Sequence, residues 1–167
     1  MKHTLEIFFD YACPYCFQAH RHLTELILYY TDINILWHPC ESHPRPERYG
    51  PHSDLCIQGY FFAAENGVNP WTYHEHMYRA ALKEHIDIEN IDTLSDYVSD
   101  ILDAEAYRLA LRQGTYGNAL AEANALAFER SGVWVVPAYR LEGRKLDAVE
   151  DIGISKEQLR RFLEKAE

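Results

Sequence analysis

Residues 5–16 read Leu5-Glu6-Ile7-Phe8-Phe9-Asp10-Tyr11-Ala12-Cys13-Pro14-Tyr15-Cys16, an apolar run followed closely by a pair of cysteines. Leu5 to Phe9 is rich in β-formers and reads as a buried strand. Beyond the pair, Leu23, Leu26, Ile27 and Tyr30 fall at the i, i+3, i+4, i+7 spacing of one helix face. Cys13-Pro14-Tyr15-Cys16 therefore lies where a strand passes into a helix, with Pro14 suited to the first helical position. The free N–H groups and dipole of such an N-terminus stabilise a thiolate, the reactive form of cysteine. Cys13, at the helix entrance, is the expected exposed nucleophile. Cys16, one turn further in, is expected to be more buried and to act as the resolving thiol that closes an intramolecular disulfide.

Outward from this point, Ile33 to His38 reads as a second strand, followed by a loop punctuated by Pro39, Pro44, Pro46 and Pro51. Residues 53–131 read as successive helices. Ser53 is the expected cap of one that ends at Gly67, and Asn69-Pro70 opens the next. Thr93 with Asp96 resembles a capping arrangement, and Asp103 starts a helix that ends near Gly114. Ala119 to Arg130 is alanine-rich, with Gly132 as its stop. Val133 to Leu141 then reads as a strand interrupted by Pro137, Glu142 to Lys145 as a hairpin turn, and Ser155-Lys156-Glu157-Gln158 as a capping box opening a last helix to about Ala166. The order β-α-β, helices, β-β-α predicts an α/β fold. Residues 1–52 and 132–167 form the sheet-bearing domain, and 53–131 form an inserted helical subdomain packed over the sheet's end.

A proline in a strand that looks central loses a ladder hydrogen bond and needs a reason. A trans proline at a bulge or sheet edge is one. Beside a reactive cysteine pair the better reading is a cis peptide before Pro137, which turns the Val136 amide and carbonyl toward the sulfurs to pair with an extended substrate chain.

The chain has 167 residues and a formal net charge of −10, from 16 Lys+Arg and 26 Asp+Glu. That length suits one compact unit, and that charge repels phosphate backbones and anionic lipid, so neither a nucleic-acid nor a membrane partner is expected. No apolar run approaches a membrane span, and Met1 to Phe9 does not read as a signal peptide, so a soluble cytoplasmic protein is expected. In a reducing compartment the four unevenly spaced cysteines, Cys13, Cys16, Cys40 and Cys56, are not a structural framework. A zinc site on Cys13 and Cys16 would need ligands from Cys40, Cys56, His20, His22, His38 or His43, but no second close-spaced motif completes it, so no metal is expected. Cys40 and Cys56 read as free thiols, with a regulatory disulfide as the alternative. The pairs His20/His22 and His74/His76 point to different sides of their helices, so the histidines are expected mostly at or near the surface. Tyr60-Phe61-Phe62, Trp71, Tyr73 and Tyr78 read as the core of the helices.

Taken together, Phe8 to Cys16, the long helical insertion and Gly132 to Tyr139 resemble the DsbA-like branch of the thioredoxin superfamily, in particular its cytoplasmic FrnE-like group. The resemblance spans essentially the whole chain. It implies a thioredoxin-like fold with an inserted helical subdomain, a Cys13/Cys16 redox pair and a cis Pro137 at the substrate groove. The implied activity is protein thiol–disulfide exchange on a thiol- or disulfide-bearing protein or small molecule. No dissociable cofactor is needed, and glutathione is admitted as a redox partner. Pro14, Tyr15, Val136 and Pro137 are the residues expected to meet the substrate. Tyr15 stands where the periplasmic oxidants carry histidine, which implies a pair less oxidising than DsbA at roughly −120 mV, nearer the glutaredoxin range of about −200 to −230 mV. Ile7 stands where those relatives bury an acid, so that proton shuttle is absent. Asp10 resembles an acid of the cytoplasmic branch and is assigned a proton-transfer or helix-capping role. Two rival readings remain: a glutathione-dependent enzyme of the kappa-class transferase or 2-hydroxychromene-2-carboxylate isomerase type, and a metal-binding protein.

Overall fold

The computed structural model describes residues 1–164. Leu5, Ile7, Phe8 and Phe9 are all buried, which requires that strand β1 (His3–Phe9) be covered on both faces. It pairs in parallel with β2 (Ile33–Pro39), from His3 opposite Ile33 to Phe9 opposite Pro39. On its other side it pairs antiparallel with β3 (Ala138–Leu141), which pairs antiparallel with β4 (Arg144–Asp147). The mixed sheet has the order β2-β1-β3-β4.

Helix α1 (Pro14–Leu26) makes the crossover between β1 and β2, burying Phe17, Ala19, Leu23 and Leu26. The α-helix stops at Leu26 and tightens into a 3-10 turn over Ile27–Tyr29, so Ile27 and Tyr30 lie beyond it rather than on its predicted face. Between β2 and β3 all regular structure is helical: α2 (Asp54–Glu65), α3 (Pro70–Leu82), α4 (Ile91–Tyr97), α5 (Ala104–Gln113) and α6 (Gly117–Asn124), which continues into a π-helical turn over Ala125–Arg130. The caps follow local chemistry. Asn69 accepts from the Trp71 amide and Asp103 from those of Glu105 and Ala106, as expected. Two caps differ. Ser53 precedes α2 without capping it through its side chain, and Asn90, not Thr93, caps α4 by accepting from the Thr93 N–H.

Helices and sheet share one hydrophobic core in which Tyr73, Tyr78, Tyr107, Phe8 and Leu5 are fully buried. Each such side chain contributes about 1.5–3 kcal/mol. Of the predicted aromatic core, Phe62, Tyr73 and Tyr78 are buried, whereas Tyr60, Phe61 and Trp71 are only partly buried. Gly59 on α2 admits the Tyr73 and Tyr107 hydroxyls, which occupy the space a Cβ would need. Tyr73 donates to the Cys56 carbonyl at 2.7 Å, and its hydroxyl lies 2.9 Å from that of Tyr107, tying α2, α3 and α5 together.

Residues 133–137 are not a strand; regular pairing begins only at Ala138. Pro137 has no N–H to offer a ladder, and the Val136–Pro137 peptide is cis. The hairpin turn is Glu142-Gly143 alone, both with positive φ, and Arg144 and Lys145 already belong to β4. Ser155 and Gln158 cap reciprocally at 2.9 and 3.1 Å, opening α7 (Lys156–Glu164), which packs on α1. The expected end of this helix at Ala166 lies outside the described residues. Among the described residues no helix is long and apolar enough to cross a membrane.

Candidate active site

Cys13 is the N-cap of α1, and Pro14 is its first helical residue. The Cys13 sulfur occupies the place of a capping oxygen, accepting the Cys16 backbone N–H at 3.2 Å. Its thiol faces the Val136 carbonyl at 3.9 Å, which brings the two ends of the sequence signal to one point. Cys16, one turn on, is 1% exposed, whereas Cys13 is only partly buried.

The two thiols are driven apart in acidity. Hydrogen bonding from the Cys16 thiol pulls the Cys13 pKa below the ordinary cysteine value. Burial opposes this, and the backbone amides of Cys16 and Tyr15 add to it. Burial raises the Cys16 thiol well above its ordinary value, and its interaction with the Cys13 sulfur raises it further. Cys13 is therefore the more acidic thiol of the pair, and Cys16 holds its proton more tightly.

A groove of about 430 Å³ opens beside Cys13. Pro14, Tyr15 and Val136 line it, as expected of residues that meet a substrate, while Pro137 does not and instead shares the lining of a separate small cavity with Cys16. Sequence reading missed much of its wall. Trp134 is 92% exposed beside Val136, and Phe128, on the π-helical turn, is another apolar rim residue with Tyr49 and Val149. Reading Val133 to Val136 as strand hid Trp134. The Trp two residues before the Val-Pro step was the one signal in the sequence.

Asp10 is 4% exposed, and each carboxylate oxygen takes a backbone N–H: Ala12 at 2.9 Å and Ser42 at 2.8 Å. It staples the β1–α1 loop to the chain leaving β2, while Cys13, not Asp10, caps α1. Its negative charge raises both the Cys13 and Cys16 thiols. Tyr15 leans away from Cys13 onto the β4–α7 loop, donating to the Asp151 carbonyl at 2.9 Å and packing over Gly153.

Cys40 and Cys56 are fully buried free thiols, raised in pKa chiefly by burial. Among the described residues no three His, Cys, Asp or Glu side chains converge to hold a metal ion. Two histidines depart from the surface placement expected of most: His20 is 6% exposed and His74 fully buried. Their partners two residues on, His22 and His76, face outward more, as the i, i+2 spacing requires.

The model of the DSBA-like thioredoxin domain matches residues 4–160. Uncharacterized protein YwbO of Bacillus subtilis (strain 168) is 24% identical over 171 residues, covering 81% of this chain and 84% of its own. The probable DsbA oxidoreductase SCO1869 of Streptomyces coelicolor superposes with a TM-score of 0.83 at 14% identity, over 98% of this chain and 89% of that one. A 2-hydroxychromene-2-carboxylate isomerase has the same fold, with a TM-score of 0.74 at 15% identity, over 98% of this chain and 93% of its own. At such identities the structural likeness speaks for the fold alone. The family match runs from β1 through the cysteine pair and the helices to α7, and on that ground the chain belongs to the DSBA-like thioredoxin domain family.

Proposed function

We propose that the protein is a thiol–disulfide oxidoreductase, with Cys13 as nucleophile and Cys16 as resolving thiol. The observation that carries this reading is the asymmetry of the pair: a partly exposed Cys13 sulfur at a helix N-terminus with lowered pKa, and a buried Cys16 with raised pKa. The Cys13 thiolate attacks a substrate disulfide, forming a mixed disulfide and expelling one substrate sulfur as thiolate. Cys16 then attacks the Cys13 sulfur, closing the internal disulfide and releasing the second substrate sulfur. Run backwards, the same steps oxidise a substrate dithiol.

The Val136 carbonyl beside Cys13 and the open groove suit an extended segment carrying the reacting cysteine. Thiol- or disulfide-bearing proteins and small molecules are the substrate class, with glutathione as a redox partner and no dissociable cofactor. The helical block of residues 53–131 acts in this reading as a subdomain over the site. The setting proposed with this activity is the cytoplasm, where substrate thiols persist in reduced form.

The test uses reduced protein with a disulfide-bonded peptide. Wild type should reduce the peptide stoichiometrically, Cys16→Ser should accumulate a mixed disulfide at Cys13, and Cys13→Ser should be inert. A Cys13→Ser protein as active as wild type would overturn the assignment. Turnover of 2-hydroxychromene-2-carboxylate with glutathione, undiminished in Cys16→Ser, would replace it with the isomerase reading.

A further inference from the structure

His20 stands one helical turn beyond Cys16 on α1, at i+4, the spacing that places two side chains on one face. Both are buried, and both line a small cavity of about 10 Å³ whose wall also includes Ile7, Trp37, Tyr78 and Tyr139. A void of this size is roughly what one water molecule needs. The exchange proposed above requires Cys16 to lose a proton here, away from bulk solvent. Ile7 offers no acceptor, the Trp37 indole is a donor only, and the phenols of Tyr78 and Tyr139 are held protonated by burial. The imidazole of His20 is a neutral base on this wall, because burial lowers its pKa to about 4. The rings of Trp37, Trp71, His74 and Tyr78 hold it in place, with centroids 5.1 to 6.4 Å away. Behind it His74 is also kept neutral by burial, and its Nδ1 is paired with the Tyr11 hydroxyl at 2.8 Å.

We propose that His20 accepts the Cys16 proton, across the cavity the two share, as Cys16 attacks the mixed disulfide. The inference rests on dithiol exchange at Cys13 and Cys16. In the step, the Cys16 S–H bond breaks and the Cys16–Cys13 S–S bond forms. The bond between Cys13 and the substrate sulfur breaks, and its electron pair leaves on that sulfur. The proton passes to His20 and from there to the departing thiolate or solvent. When the internal disulfide is opened, the proton returns to Cys16 by the same route.

The test is stopped-flow reaction of the reduced protein with 5,5′-dithiobis(2-nitrobenzoate), which separates the two steps. Attack by Cys13 releases one coloured thiolate, and attack by Cys16 releases a second. The groups facing His20, namely Cys16, Trp37, Trp71, His74 and Tyr78, are uncharged at neutral pH. The wild-type second phase should therefore stay nearly constant between about pH 5 and pH 8. In His20→Phe it should slow on the order of 10²-fold at about pH 6 and rise tenfold per pH unit, as hydroxide replaces the lost base. The first phase should change less than twofold. His20→Gln, polar but unable to take the proton, should behave like His20→Phe, and it decides the matter if His20→Phe does not fold. A second phase unchanged in both variants, or slowed equally at every pH, overturns the proposal. Release of one thiolate by wild type would instead overturn the dithiol reading itself.

Discussion

The backbone N–H of Cys16 donates to the Cys13 sulfur across 3.2 Å, so the nucleophile is held by its own resolving partner before any disulfide forms. The Cys16 thiol is the largest influence lowering the Cys13 pKa. Removing it in Cys16→Ala should raise that pKa and slow alkylation of Cys13 by iodoacetamide several-fold near pH 7. Cys16→Ser retains an O–H donor and should retain most of the reactivity. Superimposable rate–pH curves for Cys16→Ala and wild type would contradict this account.

Asp10 holds two loops together through one buried carboxylate. Asp10→Ala leaves the amides of Ala12 and Ser42 without their acceptor and should destabilise the fold by about 2–4 kcal/mol in denaturant melts. In Asp10→Asn the loss should be smaller. With the charge gone, the Cys13 thiol should become more acidic, readable from its alkylation profile.

Much of this arrangement is legible in the sequence, for reasons that are local. A strand-forming run, Pro14 at a helix start and two cysteines one turn apart fix where the sulfurs lie, because neighbours in sequence set helix entry. Pro137 was readable as the interruption of a strand, because proline cannot serve an inner ladder, but the pairing that starts only at Ala138 was not. The groove wall was not, since Trp134, Tyr49 and Phe128 come from three separate segments and no periodicity ties them together. Burial of His20 and His74 was equally hidden. Each depends on the packing of α1, α3 and β2, which brings His20 against His74 and Trp37 against His74 across long stretches of chain. Asn90 rather than Thr93 caps α4 because the helix already begins at Ile91, and the Asn90 side chain accepts from the free Thr93 amide of its first turn.

Gly153 has φ +83°, and a Cβ there would stand 2.9 Å from the Tyr15 ring. Gly153→Ala meets both penalties, left-handed backbone and a ring in the way, and should lose about 1–3 kcal/mol with a lowered Tm. Tyr15→Phe removes only the bond to the Asp151 carbonyl and should lose about 1 kcal/mol or less. A larger loss in Tyr15→Phe than in Gly153→Ala would reverse the relationship described here.

The reduced protein should be most stable between about pH 6.5 and 8.5. Below this window the unfolded chain protonates its histidines, whereas burial lowers the pKa of His20 and His74 and keeps them neutral. The unfolded state then binds more protons, so stability falls as pH falls, toward about pH 4 for His20. Above the window the unfolded chain ionises its cysteines, whereas Cys16, Cys40 and Cys56 keep their protons because burial raises their pKa. The folded state then binds more protons, so stability falls as pH rises. Thermal melts across this range check both limbs, and His20→Phe should flatten the acid one.

The most direct test of the central claim is equilibration of the purified protein in glutathione redox buffers, with thiols trapped by alkylation and each modified cysteine located by mass spectrometry. The account predicts a reversible Cys13–Cys16 disulfide with one midpoint, while Cys40 and Cys56 stay reduced. A pair that never closes, or a Cys13 that only accumulates bound glutathione at every ratio, would contradict it.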